Sequence, residues 1–180
     1  WHGKISRQNF FFFQKTWFIN VLKKFKNASC FAADVTNPES CANLVKHVLE
    51  KWGHLDILVC NVGSGSSTPI GNENILEWKR VFANNFYSAV NVIEVAKNEL
   101  SKTHGSIICI SSITGIEALG APITYSVAKA ALNTYVKNMS KPLAKLGIRI
   151  NAIAPGNVIF EGSVWEKKLF NLNLKRIKHP

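Results

Sequence analysis

From about residue 28 the chain alternates two kinds of hydrophobic pattern. Short runs that are apolar at nearly every position predict buried strands at Asp56–Cys60 (DILVC), Ser106–Ile110 (SIICI) and Ile148–Ile153. Ser29–Val35 is a weaker apolar stretch ending at Asp34-Val35. Between the strands, apolar positions recur at helical spacing. Asn37 as N-cap and Pro38 at the first helical position open one helix, with Leu44, Val45, Val48 and Leu49 as its apolar stripe. A long helical pattern runs from about Ile75 to Leu100, and another from Pro122 to Leu146, ended by Gly147. Asn61–Gly71 is rich in Gly and Ser and reads as a loop. Strands apolar on both faces and joined by crossover helices indicate a parallel sheet covered on both sides. Such sheets bind ligands beyond the carboxyl ends of their strands. The residues expected there are Asp34, Asn61-Val62-Gly63, Ser111-Ser112 and Pro155-Gly156.

Length and composition narrow the class. The 180 residues suit one domain, and 47% apolar with 18% charged residues is ordinary for a globular chain. No apolar run approaches the ~18 residues of a membrane span. The net charge of +11 invites a nucleic-acid reading, but its distribution opposes one. Residues 1–27 hold six Lys/Arg and no acid, and residues 163–180 hold five Lys/Arg and one acid. The body between them carries eleven basic and ten acidic side chains and is nearly neutral. No nucleic-acid partner and no membrane are expected. Cys30, Cys41, Cys60 and Cys109 lack CxxC spacing and read as small buried hydrophobes in a reducing, cytoplasmic setting. The histidines have no metal-ligand spacing, so no metal is expected.

Tyr125 and Lys129 form YxxxK, which puts both on one face of a helix. A tyrosine alone exchanges protons poorly at neutral pH, because its pKa is about 10. A nearby ammonium favours the phenolate, and Tyr125 could then exchange a proton with an alcohol or ketone. The motif alone is weak, since Tyr and Lys four apart are common on solvated faces. Its context is more specific. Ser112 follows an apolar strand thirteen residues earlier, where its hydroxyl could bond the reacting oxygen. Asn85 lies within the long helical pattern, in WKRVFANNFYSAV. A buried amide there must be satisfied, by bending the helix or by ordering water toward Lys129.

With these residues in this order, the stretch from about 28 to 165 resembles the short-chain dehydrogenase/reductase family. Asp34-Val35 resembles its adenine-contacting acidic motif, Asn61-Val62-Gly63 its NAG motif, and Arg149–Gly156 (RINAIAPG) its nicotinamide-side loop. Asn85, Ser112, Tyr125 and Lys129 match its tetrad. The resemblance implies a Rossmann-like doubly wound parallel sheet of order 3-2-1-4-5-6-7. It also implies an oxidoreductase interconverting an alcohol and a ketone with NAD or NADP. Tyr125 would be the acid/base, Lys129 would lower its pKa and hold the nicotinamide ribose, Ser112 would polarise the substrate oxygen, and Asn85 would support a water-mediated proton path. Asp34, Val35, Asn61, Val62 and Gly63 would line the adenosine side, and Pro155, Gly156 and Val158 the nicotinamide. The partner implied is a small-molecule alcohol or ketone, in a homodimer or homotetramer.

The sequence departs from that pattern in places. The TGxxxGxG loop that supplies backbone N–H groups to a pyrophosphate does not occur, nor do the first two strands. Val62 replaces the usual alanine, and Phe160 stands where many members place a threonine. The phrase 160–166 (FEGSVWE) resembles the substrate lid of certain bacterial members. The organisation expected is an atypical basic segment over 1–27, a partial Rossmann domain over 28–165 and a basic tail over 166–180. Both ends read as places where a longer protein has been cut or misread. The alternative to an oxidoreductase is a non-catalytic fragment of the family that binds no cofactor. The strand at Asp56–Cys60 is expected to be an open apolar edge, and the isolated chain marginal or aggregating.

Overall fold

The computed structural model describes residues 28–159 and Glu166. The expectations placed on residues 1–27, on Phe160 with the lid phrase, and on the basic tail lie outside the described residues.

Helix α1 (Pro38–Trp52) starts where the local chemistry dictates. The Asn37 side chain accepts the Ser40 N–H at 2.9 Å, and Pro38 costs no hydrogen bond in the first turn. Gly53, at φ 76°, ends the helix with its N–H on Leu49 O. Strand β1 (Ile57–Cys60) follows. Helix α2 (Ile75–Phe82) is capped by Asn74, and helix α3 covers Ser88–Lys102. Strand β2 (Ser106–Ile110) leads through a 3-10 turn at Ile113–Gly115 to helix α4 (Ile123–Ala144) and strand β3 (Arg149–Ile153).

The three strands form a parallel sheet of order β1-β2-β3, with Cys60 opposite Cys109 and Ile107 opposite Ile150. Leu58, Cys60, Ile107, Cys109 and Ile150 share one sheet face and enter a single core with Leu44, Val45, Ile93, Leu100, Leu132 and Val136 from α1, α3 and α4. These helices cover that one face. The alternate set includes Val59 and Ile153, which are 40% and 51% exposed among the described residues. Among the described residues, then, helices meet only one face of the sheet. Crossovers that run in one direction along a parallel sheet, each right-handed, deliver their helices to the same side.

Ser29–Val35 is extended but pairs with no strand among the described residues, and β1 is an edge of the described sheet, as expected. One expectation changes. The long helical pattern from Ile75 is one path but not one helix. A five-residue π segment, Ala83–Tyr87, separates α2 from α3.

Candidate active site

The carboxyl ends of all three strands open on one edge of the sheet, and the chain segments there are cross-tied. Ser111 N–H donates to Ile153 O at 2.7 Å, and Ile113 N–H to Pro155 O at 3.0 Å. The segments after β2 and β3 thus continue side by side, bringing Ser112 next to Pro155-Gly156. Pro155 is half-buried, while Gly156 and Val158 are exposed.

Asn85 lies in the π segment and is 1% exposed. Its amide nitrogen donates to Val81 O at 3.0 Å and Ser64 O at 3.1 Å, and its oxygen accepts Ser64 N–H at 2.9 Å. The widened turn and the loop after β1 therefore satisfy one buried amide together. A single-turn π bulge is frequent at functional sites. Gly63 is pressed against this clamp. A Cβ there would stand 2.7 Å from Asn85 Oδ1 and 3.2 Å from Lys129 Nζ, so Asn85, Gly63 and Lys129 meet at one point. Asn61 is exposed and Val62 half-buried beside them.

Lys129 is 4% exposed, and its Nζ donates to Ile110 O at 2.7 Å. An ammonium has three N–H groups, so two remain without a partner among the described residues. Burial pushes its pKa down to about 8, while the nearby Cys109 thiol acts in the other direction. Its Nζ lies 5.8 Å from the centre of the Tyr125 ring, and Tyr125 is half-buried on the same helix face. Ser112 is buried, and its Oγ accepts from Thr114 N–H at 3.3 Å and Thr114 Oγ1 at 3.1 Å. No hydrogen bond joins Ser112 to Tyr125 among the described residues. The structure brings Asn85, Gly63, Lys129 and Tyr125 together and holds Ser112 at the adjacent strand end.

The turn after Ser112 is held against α4 by Gly115. A Cβ there would lie 2.7 Å from Lys129 C and 2.8 Å from Ala130 N, both backbone atoms. Gly115→Ala is expected to lower stability by about 1–3 kcal/mol, the usual cost of overpacking. Urea unfolding followed by circular dichroism checks this, and an unchanged midpoint would show that the turn yields freely.

Asp34 is exposed, and its carboxylate accepts Thr36 N–H at 2.9 Å and Thr36 Oγ1 at 2.7 Å. Thr36 holds that carboxyl below its usual range. Val35 is buried, and the Asn91 side chain donates to Val35 O at 3.2 Å and Thr36 O at 3.1 Å. Asn91 thus ties the Asp34-Val35 turn to α3. Sequence reasoning missed it, and it missed Glu77. That carboxylate accepts Ser67 Oγ at 2.8 Å and Thr68 N–H at 3.1 Å, and pairs with Arg80 at 2.7 Å. Arg80 and Ser67 hold it down to about pKa 2. Ser67 in turn contacts Thr124 Oγ1 at 2.6 Å, beside Tyr125. An N-cap asparagine three residues before Glu77 was the available signal, and it pointed to a helix start rather than a loop clamp.

A parallel sheet flanked by crossover helices, with a Tyr–Lys pair on the helix that follows its middle strand, defines an α/β protein of Rossmann type. The chain belongs to the short-chain dehydrogenase/reductase family: a family model described as "Enoyl-(Acyl carrier protein) reductase" matches residues 16–163. An uncharacterized oxidoreductase of Staphylococcus epidermidis is 30% identical over 132 residues, covering 73% of this chain and 57% of that one. One from Staphylococcus saprophyticus is 35% identical over 126 residues, 69% of this chain and 54% of that one. The chain thus spans a little over half the length of these relatives. Among solved structures, an NAD+-bound xylitol dehydrogenase superposes with a TM-score of 0.76 at 25% identity, covering 84% of this chain and 58% of that one. A 7 alpha-hydroxysteroid dehydrogenase complexed with NADH and 7-oxo glycochenodeoxycholic acid gives 0.70 at 27%, covering 77% and 55%. ElxO with NADP bound gives 0.74 at 28%, covering 82% and 60%. No helix among the described residues is long and apolar enough to cross a membrane.

Proposed function

We propose that this protein takes part in the interconversion of a small-molecule alcohol and ketone with NAD or NADP, through Tyr125, Lys129, Ser112 and Asn85. The observation that carries the reading is the buried Lys129 ammonium. It stands beside Tyr125 with two N–H groups unspent, at the carboxyl edge where ligands of such sheets bind. The relatives with bound NADH, NAD+ and NADP support a nicotinamide dinucleotide.

The residues present fit one end of such a group. The two free N–H groups of Lys129 suit ribose hydroxyls, and Gly156 leaves open space where a side chain would stand. Pro155, Gly156 and Val158 would face the nicotinamide. Asp34, Val35, Asn61, Val62 and Gly63 would line the adenosine. The dinucleotide, when bound, supplies or accepts the hydride. Tyr125 Oη gives its proton to the ketone oxygen, or takes one from the alcohol. Lys129 lowers the cost of the phenolate by its charge. Ser112 Oγ, already held by Thr114, donates to the same oxygen and fixes it. Asn85 acts through backbone: it sets the loop carrying Gly63 against Lys129. The active form is a homodimer or homotetramer.

The test is consumption of NADH or NADPH by the protein against a panel of ketones, with alcohols and oxidised cofactor for the reverse direction. Saturable, ketone-dependent consumption is expected. Cofactor binding with no turnover on any carbonyl class would remove the alcohol–ketone reading.

A further inference from the structure

Cys60 and Cys109 are absent from the chemistry above, yet they are the most closely matched pair of reactive side chains in the core. They stand directly opposite each other on the adjacent parallel strands β1 and β2, so both side chains leave the same sheet face. Adjacent strands lie about 4.8 Å apart. That falls within the roughly 4.4–6.8 Å between Cα atoms that a disulfide spans. Both thiols are free. Cys60 is 7% exposed, on the edge strand of the described sheet, whereas Cys109 is wholly covered.

We propose that Cys60 and Cys109 form an oxidative modification site, at which a hydroperoxide converts the cross-strand dithiol into an intrachain disulfide. The pair first loses one proton to solvent, and the thiolate so formed attacks a peroxide oxygen. The O–O bond breaks, leaving a sulfenic acid on that sulfur and a hydroxide. The second thiol attacks the oxidised sulfur, the S–S bond forms, and its proton leaves with the hydroxyl as water. Two thiols are oxidised and one peroxide is reduced. The placement gives the bond a consequence. Cys109 precedes Ile110, whose carbonyl holds Lys129 Nζ, and Cys60 precedes the Asn61-Val62-Gly63 segment. The disulfide would draw the floor of the site together and take a thiol away from Lys129.

The inference stands apart from the oxidoreductase reading, because its readout is covalent. The folded chain is treated with hydrogen peroxide, remaining thiols are alkylated in denaturant, and peptides are mapped by mass. A parallel sample is oxidised in urea. The expected native product has lost two hydrogens, joins Cys60 to Cys109, and carries alkylated Cys30 and Cys41. In urea the preference passes to Cys30 and Cys41, which close the shortest loop. Cys60→Ser is expected to abolish the native link while the helical dichroism persists. The proposal is overturned if Cys60 and Cys109 stay reduced at a peroxide dose that oxidises the exposed Cys30. Native pairing that matches the pairing in urea overturns it equally.

Discussion

Tyr125→Phe is expected to lower the turnover of ketone reduction by about 10²–10⁴-fold, the range that one general acid contributes. The substitution removes a single oxygen from a half-buried ring and leaves the helix face intact. Lys129 keeps its bond to Ile110 O, and Asn85 keeps its three backbone bonds. Dinucleotide affinity should therefore change by less than a few-fold, because the loss falls on the transition state. Steady-state rates and a binding titration on the same preparation separate the two effects. A variant with undiminished turnover would place the proton donor elsewhere.

The second large effect concerns stability. Lys129 has its pKa lowered from 10.5 to about 8 by burial. Between those values the unfolded chain binds a proton that the folded chain does not, so stability rises with pH across that window. The charged Lys129 correspondingly costs the fold on the order of 3 kcal/mol at neutral pH. The thiols of Cys41 and Cys60, pushed up chiefly by burial and by the Cys109 contact respectively, act oppositely above about pH 9. The buried Tyr135 phenol does the same above about pH 10. The contribution of Lys129 is therefore read as the difference between wild type and Lys129→Met. Wild type should gain stability from pH 8 to 9 with a slope approaching about 1.4 kcal/mol per pH unit. Lys129→Met should lose most of that slope and most of the turnover. Parallel pH profiles of unfolding would show that Lys129 is solvated in the folded chain. A buried charge kept at a cost to the fold is the signature of a residue retained for chemistry rather than for packing.

How much was legible in the sequence follows from which signals are local. The start of α1 was readable because Asn37 and Pro38 act within its first turn. Strands β2 and β3 were readable because their apolar runs are bounded by Gly105, Gly147 and Pro155-Gly156. The π segment was legible only as a possible bend at Asn85, because the apolar spacing continues through Ala83–Tyr87 and the amide's partner, Ser64, is twenty-one residues away. That the described helices meet only one sheet face was hidden for a related reason. Val59 and Ile153 are as apolar as Leu58 and Ile150, and only topology decides which set meets helices. Within the site, Tyr125 and Lys129 were legible only together with Ser112 and Asn85, in their order along the chain after the right elements. Asn91 and Glu77 were not, since each gains its role from a backbone segment that folding brings to it.

The central claim is that the residues gathered at the carboxyl edge of the sheet hold a nicotinamide dinucleotide against Tyr125 and Lys129. A fluorescence titration of the 180-residue chain with NADH and with NADPH tests it most directly. The account predicts saturable binding of at least one of the two, weakened by Lys129→Met and retained by Tyr125→Phe. A cooperatively folded chain that binds neither, or that binds both equally well with Lys129→Met, would contradict it.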